Sequence, residues 1–142
     1  MNKTITTIVA IVFFGLFSQG SMAEIEVIVD TSVSIDSVDA KQLQRLYLNK
    51  PVRLKANVKL TPIDQKKGSS LRKEFTQKVL DKTERQLASY WSRLMFSGKG
   101  NPPQQYDNDT AVLEQVTANP GTVGYIDSAS ANENVKVILR IP

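Results

Sequence analysis

The stretch LTPIDQKKGSSLRKEFTQKVL, residues 60–80, decides the fold. It closes the alternating run VRLKANVKLTPID (52–64), which predicts one or two strands, with Val58–Ile63 the more buried part. Two lysines and a glycine then make a turn, and Ser69 or Ser70 opens a helix whose Leu71, Phe75 and Val79 face a core. A strand leading through a turn into a helix is the unit of an α/β domain. The first turn of that helix leaves backbone N–H groups unpaired and carries the positive end of the macrodipole. Gly68 lets a ligand approach the backbone, the Ser69 and Ser70 hydroxyls are donors, and Lys66, Lys67 and Arg72 supply countercharge. These residue types in this order suit a tetrahedral oxyanion such as phosphate or sulfate.

Two other readings compete for the same residues. An ordinary serine cap flanked by solvated lysines needs no ligand. Ser70-Leu71-Arg72-Lys73 also has the spacing of a serine acyl-transferase, and Tyr106-Asp107-Asn108 distantly echoes such an enzyme's second motif. No Lys-Thr-Gly strand follows, which argues against acyl transfer and leaves a non-enzymatic reading. Gly98-Lys99 is not a phosphate-binding loop, because Arg93 stands at the earlier glycine position and Gly100 where Ser or Thr is required.

Working outward, EIEVIVD (24–30) predicts a strand, and Ser37 is placed to cap a helix with Ala40, Leu43, Leu46 and Tyr47 on one stripe. Thr83-x-x-Gln86 has capping-box spacing before ERQLASYWSRLMF (84–96), where Leu87, Trp91, Leu94 and Met95 recur at helical spacing. GKGNPPQQY (98–106) is a loop, Asp109 is placed to cap a short fourth helix, and VGYI (123–126) and VKVILRI (135–141) read as strands. Strands and helices interleave, so the expectation is an α/β fold with a mixed sheet of about five strands flanked by helices.

The first 23 residues, MNKTITTIVAIVFFGLFSQGSMA, combine an early lysine, an apolar run from Ile5 to Phe17, and small residues Ser21 and Ala23 before a cleavage point. The run is shorter than the roughly 20 residues of a bilayer span, so it predicts a cleavable signal peptide, a periplasmic destination and no membrane insertion afterwards. Residues 24–142 are then expected to form one α/β domain. The chain has no cysteine and no histidine, which removes disulfides, histidine-based triads and histidine metal ligands. No cofactor or metal is implied. Charge is segregated: residues 41–99 hold 15 Lys and Arg against 4 Asp and Glu, whereas the rest of 24–142 holds 2 against 10. Such a distribution favours an anionic ligand or an acidic partner, and no nucleic-acid recognition motif accompanies it.

The order of these motifs resembles the periplasmic phosphate-binding proteins of ABC transporters, a short PstS-like branch of the type 2 periplasmic-binding-protein superfamily. LQRLYLNK (43–50) is similar to the family's helix ending, residues 60–80 to its strand, anion turn and helix, and YWSRLMFSGKGNPP (90–103) to a segment of the short branch. VTANPGTVGYID (116–127) resembles the late Pro-Gly-x-x-Gly-Tyr strand. The resemblance implies a single lobe of that fold, non-catalytic binding of phosphate or a related oxyanion, and an ABC permease or periplasmic sensor domain as partner. An anion site is expected at Lys66, Lys67, Gly68, Ser69, Ser70 and Arg72, and Ser32 and Ser34, because they follow the first strand, are expected to contribute from a neighbouring loop. Where full-length relatives carry Arg, Asp and Ser-Gly-Thr, this chain has Asp64, Lys66 and Gly68-Ser69-Ser70, and Ser70 alone keeps a hydroxyl in register. Those relatives close two lobes on the ligand, whereas this chain holds material for one. The rival expectation is therefore a protein-interaction module that kept the fold and lost the solute.

Overall fold

A computed structural model describes residues 24–142; the expected signal peptide, residues 1–23, lies outside the described residues. Six strands and four helices follow in the order β1 (Ile25–Asp30), α1 (Ala40–Tyr47), β2 (Thr61–Pro62), β3 (Asp64–Gln65), α2 (Ser70–Lys78), α3 (Glu84–Phe96), β4 (Gln105–Tyr106), α4 (Asp109–Ala118), β5 (Thr122–Asp127) and β6 (Val135–Ile141). Four strands form a mixed sheet in the order β2-β5-β1-β6, and β3 with β4 makes a small parallel pair beside it. β1 runs antiparallel to both β5 and β6, with Ile25 opposite Asp127 on one side and Ile141 on the other.

Alternation along β1 sends its side chains to two covered faces. Ile25, Val27 and Val29 join Leu43, Tyr47, Phe75, Leu87 and Trp91 beneath α1, α2 and α3. Ile28 joins Val112, Val116 and Ile126 beneath α4. Burial on both faces explains why β1 and β5 read as nearly unbroken apolar runs. Among the described residues no helix is long and apolar enough to cross a membrane.

The run 52–64 departs from expectation. Lys55–Asn57 forms a turn of 3-10 helix in which Ala56 and Asn57 have φ of 55° and 52°. Only Thr61–Pro62 joins the main sheet, as its edge, where a proline without an N–H is tolerated. The N–H groups on either side of it, Thr61 and Ile63, donate to Gly121 O just before β5 and to Val123 O within it, at 2.8 and 2.9 Å.

Helix starts differ in one more detail. Asp39, not Ser37, caps α1 through a reciprocal box with Gln42, while Thr83 and Gln86 form the expected box on α3. Met95, placed on the core stripe by its spacing, is 47% exposed. Its neighbour Leu94 and, further back, Leu87 and Trp91 already occupy the core side of the helix.

One glycine sets the distance of α4 from the sheet. A Cβ on Gly124 of β5 would lie 2.7 Å from Val112 Cγ1 and 3.3 Å from Ile63 Cγ1. Val112 is a stiff β-branched residue that cannot swing aside. Gly124→Ala is therefore expected to cost about 1–3 kcal/mol by forcing α4 outward, read as a lower midpoint in urea. An unchanged midpoint would mean that the helix rides freely on the sheet.

Candidate functional site

The turn from β3 into α2 forms where the sequence places it. Ser69 is the N-cap of α2, its Oγ accepting the Arg72 N–H at 3.2 Å. Gly68 adopts a φ of +93°, which glycine alone takes without strain, and allows the chain to fold back so that Ser69 N donates to Lys66 O at 3.1 Å. Lys67 N donates to Gln105 Oε1 at 3.1 Å, fastening the turn to β4. Two N–H groups of the first turn, those of Ser70 and Leu71, have no protein acceptor among the described residues. Ser69 keeps its hydroxyl proton free to donate, and Lys66, Lys67 and Ser70 are exposed.

Arg72 does not join them. It is 6% exposed, and its guanidinium grips Glu84 with Nε at 2.8 Å and Nη2 at 3.3 Å. Its Nη1 donates to Asp64 Oδ2 at 2.7 Å and to Gln65 O at 3.2 Å. The expectation that Arg72 offers charge to a bound anion is corrected: two carboxylates of the protein already hold its fork. Asp64, on the far side of the pair, also receives the Tyr125 hydroxyl and its neighbour Gln65's N–H. Burial lifts the Asp64 carboxyl above the usual aspartate value despite the opposing pull of Arg72 and Tyr125. Burial, together with the Asp64 charge, also drives the Tyr125 phenol far up, so it stays a proton donor at every physiological pH.

A second helix N-terminus meets the first. Asn108, not Asp109, caps α4, accepting from Ala111 N at 2.9 Å. The Asp109 carboxylate turns inward and accepts from Gln65 Nε2 at 2.8 Å, Ser130 Oγ at 2.7 Å and Asp127 N at 3.1 Å. Three donors leave it well satisfied, and it ties α4 to the turn after β5. Between the two N-termini lies an open cleft of about 500 Å³ bordered by Gln65, Ser69, Ser70, Asp107, Asp109 and Asp127. Sequence reasoning missed the acidic wall of this cleft, because Gln65, Asp109 and Asp127 converge only through tertiary structure. Among the described residues no group of three or more His, Cys, Asp or Glu is arranged to hold a metal.

Ser32 and Ser34 are not part of the cleft. Because β1 is antiparallel to β5, its start lies beside Asp127 and its end, with the loop that follows, lies at the opposite edge, about 17 Å of strand away. Ser32 is occupied locally, its N and Oγ donating to Asp30 Oδ1 at 2.9 and 2.5 Å. The structure thus brings Ser69 and Ser70 to the cleft, with Lys66, Lys67 and Gly68 in the exposed turn just before them. It withdraws Arg72 into the interior and leaves Ser32 and Ser34 remote.

No protein-family model and no curated protein matches the chain. Solved structures do. An ABC-type phosphate transport receptor from Vibrio cholerae superposes with a TM-score of 0.64 at 18% identity, over 82% of this chain and 46% of the receptor. A putative phosphate ABC transporter substrate-binding protein with bound phosphate, from Clostridium perfringens, gives 0.64 and 18% over 82% and 45%. PstS from Borrelia burgdorferi gives 0.59 and 13% over 82% and 47%. At these identities the likeness is one of fold, and this chain spans less than half the length of each of the three.

Proposed function

We propose that the protein is an exported, non-catalytic oxyanion-binding lobe that takes phosphate between the N-termini of α2 and α4 and serves an ABC-type uptake or sensing system. The observation that carries this reading is the α2 turn: two N–H groups without a protein acceptor, a serine hydroxyl with a free proton, and a dipole aimed into an open cleft. The fold neighbours support it, since those from Vibrio cholerae and Clostridium perfringens are described as a phosphate transport receptor and a putative phosphate transporter substrate-binding protein. The acidic wall narrows the anion. Asp107 and Asp127 repel a bare dianion such as sulfate, but accept a hydrogen bond from one that retains a proton, as hydrogen phosphate does. Lys66 and Lys67 provide attraction at range, and their exposure makes it sensitive to salt.

Calorimetric titration of the chain from Glu24, which carries both core clusters, tests the proposal with phosphate, sulfate and acetate. Saturable heat with phosphate alone is expected, weakened about tenfold or more in Ser70→Ala with the melting temperature unchanged. Heat of equal size for all three anions would reduce the site to diffuse attraction. No heat at all, from a folded sample, would leave the docking-module reading, which the open cleft favours.

A further inference from the structure

α3 has an outer face that nothing in the fold uses. Its apolar side, Leu87, Trp91 and Leu94, is taken by the core. On the opposite side Arg85, Ser89, Ser92, Arg93 and Phe96 recur at helical spacing and are all exposed. Phe96, the last helical residue, is 97% exposed, and Met95 beside it is 47% exposed; these two are the exposed large apolar side chains among the described residues. Lys99 follows on an exposed loop, past Gly98 with its φ of +69°. None of Arg85, Arg93 or Lys99 forms an ion pair among the described residues. The nearest acid on this helix, Glu84, is held by Arg72.

We infer that this face rests on an anionic lipid surface, with Phe96 inserted among the acyl chains and Arg85, Arg93 and Lys99 against the headgroups. The shape decides for lipid over a protein partner. Aromatic anchors of protein interfaces sit centrally, ringed by further contacts. Phe96 instead stands at the end of a helix whose adjoining outer face is serine and solvated arginine. A bilayer needs no matching socket: it accepts a projecting aromatic at the level where basic side chains meet headgroups. The protein lies on the surface and does not span it, since the helix's main apolar stripe is committed inward. Contact of this size is weak, reversible and dependent on lipid charge. The inference stands whether or not the cleft takes an oxyanion.

Flotation of the chain from Glu24 with vesicles tests it. One set contains equal parts of phosphatidylglycerol and phosphatidylcholine, the other phosphatidylcholine alone. Binding is expected to the anionic set only, falling as salt rises. Phe96→Ser should lower it about tenfold or more, and the double variant Arg85→Glu, Arg93→Glu should abolish it. Circular dichroism should show both variants folded, because every altered side chain is exposed. Absence of anionic-vesicle binding, equal binding to both sets, or indifference to Phe96→Ser each overturns the inference. Self-association that Phe96→Ser abolishes, without vesicle binding, would assign the face to a second copy of this chain.

Discussion

Arg72→Leu is expected to cost about 3–5 kcal/mol, a large share of the roughly 5–15 kcal/mol that holds a domain of this size together. The loss comes less from missing attraction than from what is left behind. Asp64, 8% exposed, and Glu84 would keep their charges in the places the guanidinium now neutralises. Burial already raises the Asp64 carboxyl with Arg72 beside it, so removal of the cation raises it further. The sign of the pH dependence follows. A carboxyl whose folded pKa lies above its unfolded value binds its proton more readily in the folded state. Its penalty is therefore full at neutral pH and shrinks as pH falls through the raised value. Urea denaturation of wild type and variant at neutral and mildly acidic pH should show the gap narrowing. Arg72→Lys should fall between, because one ammonium cannot reproduce a fork that serves both carboxylates. A deficit below about 1 kcal/mol at neutral pH would mean that water reaches the pair.

Phe75→Ala carries the second large effect, about 3–5 kcal/mol. Phe75 is 1% exposed and stacks on Tyr125 with ring centroids 3.8 Å apart and planes 3° from parallel. Tyr47 meets it edge-on at 4.8 Å. The cost should sit near the top of the range because neither neighbour is free to fill the gap. The Tyr125 hydroxyl is held by Asp64, and the Tyr47 hydroxyl shares its proton between Ile63 O at 2.8 Å and Val123 O at 3.2 Å. In denaturant the midpoint should drop while the slope stays constant. A loss under about 2 kcal/mol would show that the cavity collapses despite those hydroxyl anchors.

Much of the fold was legible because its signals are local. β1, β5 and β6 follow from apolar, β-branched runs, and the Thr83–Gln86 box announces α3 within four residues. What escaped depends on contacts distant in sequence. The run 52–64 alternates like a strand, yet only two residues of it pair in the main sheet, since Pro62 limits it to an edge and the left-handed Ala56 and Asn57 turn the chain first. Arg72 looks from its neighbours like a ligand for an anion; its true partner Glu84 lies twelve residues on, in another helix. Asp109 looks like a cap, and only the closed fold brings Gln65, Asp127 and Ser130 to it. Ser32 and Ser34 are placed at the site only by following the first strand, and that position says nothing of strand direction. The antiparallel setting of β1 separates them from it.

That setting of β1 also governs the order in which the protein can fold. The first of the described strands sits in the middle of the sheet, between two strands whose pairing residues lie 96 to 116 positions later. Until residues 122–141 have been made, β1 has no neighbour and the larger core no floor. Contacts of such long range close slowly, because the loop entropy is spent before any burial is gained. Pieces of α1, α2 and α3 can flicker as helices meanwhile, but none of them has a sheet to lie on. If the protein is exported as proposed above, this late pairing would keep residues 24–121 without their sheet until β5 and β6 are made.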